Sequence, residues 1–333
     1  MKKPTFIEVC AGCGGLSTGF INAGFEPVAI NEIDKTCCQT LRKNHSSHSH
    51  LVIEGSMTDL SLSGKNADVL MGGVPCQAFS QAGERRGLED PRGQLILHFN
   101  RLLKECSPKL FLVENVKGLL TINKGETLKS VIDLFKNGNE YKVYFKVLNA
   151  KDYEVPQKRE RIIIVGVRAD LGLDYQFPEP SKNKRVLGDV LRDVPVSEGA
   201  SYPDTKKKVL DLVPPGGSWV NLPEDVQKSY MGKSFYSGGG RRGMARRLSM
   251  SEPSLTLTTS PCQKQTERCH PEETRPLSVR EYARIQTFPD DYEFCGGMAR
   301  KYKQIGNAVP VRLAEFLAES LKEVLKSLPH QPS

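Results

Sequence analysis

The sequence predicts an α/β fold: a doubly wound, mostly parallel sheet joined to a second, smaller domain of short strands and loops. Short apolar runs alternate with helical patterns through the first half of the 333 residues. That alternation marks a parallel sheet covered by helices on both faces. Near Phe177-Pro178-Glu179-Pro180 the composition shifts to frequent Pro, Gly, Ser and Lys, without long periodic segments. Further on, an amphipathic helix restores the earlier character. The expected organisation is therefore 1–177, an inserted domain over 178–275, and a return segment over 276–333.

Taken in order, Phe6-Ile7-Glu8-Val9 reads as the first strand and leads through a glycine-rich turn to a helix beginning near Leu16. Pro27-Val28-Ala29-Ile30 and Leu51-Val52-Ile53 read as the next two strands. Ala67-Asp68-Val69-Leu70-Met71 and Leu110-Phe111-Leu112-Val113 follow, with a helix between them that places Leu95, Phe99, Leu102 and Leu103 on one face. Residues 143–148 and 162–167 complete the strands. In the return segment Leu313, Phe316, Leu317, Leu321 and Val324 share a helical face. Trp219, the only tryptophan, falls in the inserted domain, where a structural role is expected.

Hydrophobic residues make up 38% and charged residues 26%, which supports a packed core and argues against wholesale disorder. No apolar run approaches the roughly 18 residues of a membrane span. The first apolar stretch is too short and too acidic for a signal peptide, so a cytoplasmic protein is expected. Nine irregularly spaced cysteines suit free thiols better than a disulfide framework. A net charge of +8 is compatible with a nucleic-acid partner without requiring one.

The turn Cys10-Ala11-Gly12-Cys13-Gly14-Gly15 lets the backbone bend tightly and approach a ligand. Glu32 stands at the end of the second strand, where a carboxylate can accept hydrogen bonds from ribose hydroxyls. The pair suggests a nucleoside cofactor, and the spacing departs from the phosphate-binding G-x-G-x-x-G fingerprint of NAD sites. A ligand-free βα turn is the plain alternative. Cys10 and Cys13 also form a C-x-x-C pair, so a cytosolic dithiol oxidoreductase is a rival. Zinc is not expected, because Cys37-Cys38, Cys262 and Cys269-His270 lack a finger spacing.

Directly after the fourth strand comes Gly72-Gly73-Val74-Pro75-Cys76-Gln77-Ala78-Phe79-Ser80. Ligands of open α/β sheets sit beyond the carboxyl ends of strands, so this loop faces a site. The fifth strand ends in Glu114-Asn115-Val116, and Gln157-Lys158-Arg159-Glu160-Arg161 precedes the last one. Leu277-Ser278-Val279-Arg280-Glu281, Gln286-Thr287-Phe288-Pro289 and Gln304-Ile305-Gly306-Asn307-Ala308-Val309-Pro310 follow. In this order the motifs resemble those of the DNA (cytosine-5) methyltransferases of bacterial restriction-modification or orphan type, over nearly the whole chain except about 178–275.

The resemblance implies the S-adenosylmethionine-dependent methyltransferase fold, S-adenosyl-L-methionine as cofactor and no metal. It makes 1–177 the catalytic and cofactor-binding domain and 178–275 the target-recognition domain, with 276–333 completing the first. Cys76 would be the nucleophile, with Glu114, Arg159 and Arg161 as catalytic partners. Cofactor contacts would come from Cys10, Ala11, Gly12, Gly14, Gly15, Glu32, Ile33, Ser56, Met57, Pro75, Leu95, Asn307 and Ala308. The chemistry suits these residue types. Carbon 5 of cytosine is a poor nucleophile until a soft, removable thiolate adds to carbon 6. Glu114 sharing a proton with ring nitrogen 3 would stabilise the charge that this addition creates. Arg161 could hold the base carbonyl, and Arg159 could support that loop or a phosphate. A surface ion pair with Glu160 is the plain reading of both arginines.

The partner implied is double-stranded DNA, with the target base flipped out of the stack, a strategy for which methyltransferases are among the general examples. Gln77, Ser80, Arg85 and Arg86 would face the flipped base or its strand. In the recognition domain Arg241, Arg242, Arg246 and Arg247, together with Thr256 and Thr258 of Leu255-Thr256-Leu257-Thr258, would contact DNA. Lys206-Lys207-Lys208 reads as a plain exposed face. A monomer is expected, with no membrane association and with a companion restriction endonuclease as a further partner. An RNA (tRNA) cytosine-5 methyltransferase of the same fold is the nearest alternative, although its Cys-Phe-Thr element is missing. Cys10, Val74 and Ser56 depart from the family's usual Phe, Pro and Asp.

Overall fold

The computed structural model describes residues 3–74, 94–136, 140–236 and 243–328. In chain order the elements are β1 (Thr5–Val9), α1 (Gly15–Asn22), β2 (Glu26–Glu32), α2 (Lys35–Asn44), β3 (Val52–Glu54), β4 (Val69–Gly72), α3 (Gln94–Cys106), β5 (Leu110–Val116) and α4 (Glu126–Lys136). They continue with β6 (Tyr141–Asn149), β7 (Gln157–Lys158), β8 (Glu160–Arg168), α5 (Asp204–Asp211), α6 (Glu224–Met231), β9 (Ser254–Leu255), α7 (Val279–Ile285), α8 (Met298–Asn307) and α9 (Val311–Lys326). The chain divides into two compact units. One comprises 1–149, 160–180 and 311–333, and the other 150–159 and 181–310.

The first unit is the doubly wound sheet, in the order β3-β2-β1-β4-β5-β8-β6. Its first five strands run parallel, whereas β8 is antiparallel to both β5 and β6. Apolar strands form because both sheet faces are covered: Phe6, Ile7, Val9, Leu70, Phe111 and Ile164 are fully buried. Phe99, Phe111 and Phe135 interlock, with the last two ring centroids 4.9 Å apart. Gly166 makes room for them, since a Cβ there would lie 1.9 Å from the Phe111 ring. The return helix α9 packs on α1 at a similarly tight crossing, where a Cβ on Gly19 would fall 2.4 Å from that of Ala314. Lys322 fastens the pair by donating to the Ala23 carbonyl at 2.6 Å. Strand order reverses between β1 and β4, and such a switch point opens a crevice at the strands' carboxyl ends.

The second unit has fewer strands than the sequence suggests. Among the described residues its only strand ladder is the two-residue β7–β9 pair, with isolated bridges such as Arg247–Cys269, and short helices and loops make up the rest. Pro203 and Pro223 precede α5 and α6, each followed by acidic residues, a helix-start signal that the lysine-rich composition obscured. A small core gathers Tyr202, Leu210, Val213, Leu222, Ala245 and Cys269, with Trp219 packed against it.

The boundaries also differ from those expected. Residues 150–159 and 276–310 group with 181–275 rather than with the sheet, because their polar groups are bonded there. Tyr302 donates to the Leu277 carbonyl at 2.7 Å and accepts from Ala200 N–H at 3.1 Å. Gln157 donates to Gln286 at 2.8 Å, and Gly306 presses so closely on Thr258 that a Cβ would lie 2.2 Å from its carbonyl oxygen.

Candidate active site

The carboxyl ends of β1, β2, β3, β4 and β5 line up along one edge of the first unit, since Val9 pairs with Asn31 and Gly72, Glu32 with Glu54, and Gly72 with Val113. At the end of β1 the backbone turns through the left-handed region at Cys10 (φ +53°), Gly12 (+57°) and Gly14 (+87°). Ala11 N–H bonds to the Asn31 carbonyl at 3.1 Å and Gly14 N–H to that of Ala11 at 3.0 Å, while Gly15 opens α1. Glu32 secures the turn: one carboxylate oxygen accepts from Gly12 N–H at 2.6 Å, the other from the amides of Ile33 and Asp34 at 2.8 Å each. A Cβ on Gly12 would meet nothing within 4 Å, so the turn borders open space, and Ile33 beside it is 69% exposed. A rigid, glycine-lined turn, a carboxylate at the end of the next strand and an exposed apolar side chain fit a nucleoside ligand.

The same surroundings disable the dithiol. Burial and the carboxylates of Glu32 and Glu8 push the Cys10 thiol up to about 12. Burial and neighbouring Cys37 hold Cys13 well above the ordinary range. A redox pair needs thiolates favoured near neutral pH, and here they are opposed. Behind the turn Glu8 accepts from the Ser17 hydroxyl and is pushed up to about 8 by burial, with the charge of Glu32 adding to the shift.

After β3, Asn31 donates to the carbonyls of Ile53 at 3.2 Å and Gly55 at 3.0 Å. Ser56 shares a 2.7 Å hydrogen bond with Thr58. Met57 is buried, with its side chain in the core of the first unit. Leu95, on α3, is half-buried against the same core.

After β4 stand Gly72, Gly73 and Val74. A Cβ on Gly72 would lie 2.6 Å from the Val9 carbonyl oxygen, and one on Gly73 would lie 3.4 Å from a Glu114 carboxylate oxygen. Val74 is buried, and its carbonyl accepts from Asn115 Nδ2 at 2.6 Å. Pro75, Cys76, Gln77, Ser80, Arg85 and Arg86 lie outside the described residues. Glu114, at the end of β5, meets Arg161 Nε at 2.8 Å, and both side chains are mostly buried. The plain pairing with the Glu160 carboxylate therefore does not form: besides Glu114, Arg161 donates to the Glu160 backbone carbonyl, and the Glu160 carboxylate takes Lys117 at 3.0 Å.

Sequence reasoning placed Arg159 beside Arg161, but the structure assigns it to the second unit. It is 1% exposed and donates to the carbonyls of Gly306 at 3.0 Å and Leu257 at 3.3 Å. It supports a loop, one of the two roles expected of it. Arg247 is likewise removed from the DNA contacts, being buried and bonded to the Leu210 carbonyl at 2.8 Å and Thr274 at 2.7 Å. Arg246 is half-buried, and Arg241 and Arg242 lie outside the described residues. Thr256 donates to the Lys158 carbonyl at 2.7 Å and Thr258 to that of Ser260 at 3.0 Å, so both hydroxyls act within the unit. Lys207 and Lys208 are exposed as expected, but Lys206 pairs with the fully buried Glu267. Asn307 ends α8 exposed, with Ala308 buried beside it.

Residues 4–323 match the family described as C-5 cytosine-specific DNA methylase. The chain belongs to that family. It is 52% identical over 335 residues to the Type II methyltransferase M.Eco47II of Escherichia coli, a span covering 97% of this chain and 80% of that one. With M.Sau96I of Staphylococcus aureus it shares 51% identity, over 97% and 77% of the two chains. Among solved structures, the Entamoeba histolytica methyltransferase EhMeth aligns with a TM-score of 0.71 at 17% identity, covering 98% of this chain and all of that one. The methylase is thus an S-adenosylmethionine-dependent DNA cytosine methyltransferase, and the RNA alternative finds no such support. No group of three or more His, Cys, Asp or Glu able to hold a metal ion occurs among the described residues, nor a helix long and apolar enough to cross a membrane.

Asn115, Asn31, Gln157 and Gln286 carry structural roles that the motif reading did not single out. The available signal was a polar residue inside an otherwise apolar stretch or beside a charged motif position, where burial demands a partner.

Proposed function

We propose that the methylase acts on a flipped cytosine of a specific duplex site through covalent addition of Cys76, with Glu114 and Arg161 holding the base. One observation carries the reading: Glu114 and Arg161 are paired at the sheet edge beside Gly73, three residues before Cys76. The Cys76 thiolate would form a bond to carbon 6 while Glu114 shares a proton at nitrogen 3 and Arg161 turns to the base carbonyl. S-adenosyl-L-methionine supplies the methyl group to carbon 5, leaving as the neutral thioether. Loss of the carbon 5 proton to a base then returns the electron pair that expels Cys76 as thiolate. Cys10, Ala11, Gly12, Gly14, Gly15, Glu32, Ile33, Ser56, Met57, Pro75 and Leu95 are the proposed cofactor contacts.

DNA recognition is assigned to the second unit, with Arg241, Arg242 and Arg246 as the arginines able to serve it. The names of the relatives, Type II methyltransferases, favour a companion endonuclease of the same specificity. We take the enzyme to be a cytoplasmic monomer. The test is Cys76→Ser. Methylation should vanish while duplex and cofactor dissociation constants stay within about twofold, and trapping on a 5-fluorocytosine duplex should stop. Full activity in this variant would end the mechanism.

A further inference from the structure

The loop that carries Cys76 leaves β4 through two glycines and a buried valine. The parallel ladder between β4 and β5 ends with Gly72 opposite Val113. Beyond it, the Val74 carbonyl is buried and needs a donor. Asn115 provides one at 2.6 Å, and its own Oδ1 accepts from Val116 N–H at 2.9 Å. The amide is thereby held from both ends and extends the ladder by one side-chain bond. Asn31 likewise reaches from β2 to its neighbour strand, donating to the carbonyls of Ile53 within β3 and Gly55 just after it.

The position of this bond matters. Asn115 follows Glu114 directly, so a single peptide links the proposed nitrogen 3 partner to the residue that fixes the loop. Val74 is two residues ahead of Cys76 in the sequence, so a bond to its carbonyl acts where the chain leaves the sheet toward the nucleophile. Gly73 leaves Glu114 no barrier on the near side, since a Cβ there would be 3.4 Å from its carboxylate. Glu114 and the exit of the loop at Val74 are thus tied together through Asn115.

We infer that Asn115 is a positioning residue that fixes the exit of the nucleophile loop relative to Glu114, and thereby the rate of covalent addition. The inference rests on the reading of Cys76 as nucleophile. Asn115→Asp keeps the shape and the acceptor for Val116 but places a carboxylate against the Val74 carbonyl. Asn115→Ser removes the reach of the amide and carries the measurement if the Asp variant does not fold. The probes are a 5-fluorocytosine duplex, the corresponding cytosine duplex and S-adenosylmethionine. The expected result is a fall in the single-turnover trapping rate of roughly 10- to 100-fold, the scale of an ångström-sized misplacement of reacting groups. Dissociation constants for duplex and cofactor should stay within about twofold, so that kcat falls and KM does not rise. A general structural role would instead lower the melting temperature and weaken both ligands together, and that pattern overturns the inference. It is also overturned by a folded variant that traps as fast as wild type. Activity in Cys76→Ser would remove the reading beneath it, whereas an inactive Cys76→Ser alongside a fast-trapping Asn115 variant would remove this inference alone.

Discussion

The two units use their motif residues in opposite ways. In the first, Glu114 and Arg161 stand at strand ends where the sheet opens, and Gly12 and Ile33 border free space. In the second, Arg159, Gln157 and Gln286 are buried and bonded to one another's loops: Gln157 holds Leu257 N–H at 3.0 Å and Gln286 while Gln286 donates to the carbonyls of Ile305 at 2.7 Å and Ala308 at 3.0 Å. Motif membership therefore does not separate chemistry from scaffolding; burial and bonding partners do. A buried amide or guanidinium whose donors end on backbone carbonyls is holding a loop, and its loss leaves those carbonyls unsatisfied.

The largest effect that tests this contrast comes from two arginines only two positions apart. Arg159→Met should orphan the Gly306 and Leu257 carbonyls, at about 1–3 kcal/mol each, partly offset by removal of a buried charge. A net loss of about 3 kcal/mol corresponds to a melting midpoint lower by roughly 6–12 °C. Arg161→Met should leave the midpoint within a few degrees and cut the trapping rate by roughly 100-fold or more, as loss of a preorganised charge-stabilising donor does. Scanning calorimetry and single-turnover kinetics on both variants decide the matter. If Arg159→Met melts like wild type while Arg161→Met unfolds, the contrast is reversed.

The fold was legible where burial writes itself into apolar runs. Every strand expected in the sheet is present, and the central parallel ones are the plainest, because strands covered on both faces must be apolar. Strand direction was not legible: Ile162-Ile163-Ile164-Val165 reads the same whether β8 runs with β5 or, as it does, against it. The placement of the candidate residues was legible where strand ends and glycines mark it: Glu32 and Glu114 stand at the ends of β2 and β5, and Gly12 and Gly14 take the left-handed turn after β1. Loop and phosphate stood as open alternatives for Arg159, and Arg247 was expected at DNA, since an arginine bonded to carbonyls inside a loop core is spelled like one that grips a phosphate. Asn115 went unremarked because its partner is a backbone atom, and backbone atoms carry no letter.

Glu32 sharpens the contrast, because it both organises its own turn and faces the proposed ligand. Glu32→Gln keeps one acceptor oxygen and loses the charge. Cofactor affinity by calorimetry should weaken by about 1–3 kcal/mol, roughly 5- to 150-fold, the range for hydrogen bonds to a charged group. The melting midpoint without cofactor should fall less than that of Arg159→Met, as one oxygen still serves the amides. An unchanged dissociation constant would make Glu32 a scaffold residue like those of the second unit.

Glu8 is the exception within the first unit: a buried carboxyl group away from the open edge, bonded to the Ser17 hydroxyl and repelled by Glu32. Burial raises it from an ordinary value near 4.5 to about 8, so the folded protein holds it neutral at pH 7. The folded form then binds more protons than the unfolded form between those two values, and stability must fall as pH rises across that window. The contribution is full below pH 4.5 and is lost as pH passes through 8, with a slope of at most about 1.4 kcal/mol per pH unit. His45 acts in the opposite sense. Burial lowers it to about 4, so its folded form favours the neutral ring and stability from this group grows as pH rises from 4 to 6.5. A single pH profile of the wild type mixes the two, but His45 is common to both proteins when wild type is compared with Glu8→Gln. The amide is neutral at every pH and can still accept from Ser17, so the difference isolates the Glu8 proton. Urea midpoints at pH 5, 6, 7 and 8 should show Glu8→Gln gaining steadily on wild type toward pH 8. Parallel profiles would mean that Glu8 ionises inside the folded unit as freely as outside it, and the buried interior of the first unit would then tolerate a charge that its packing is expected to exclude.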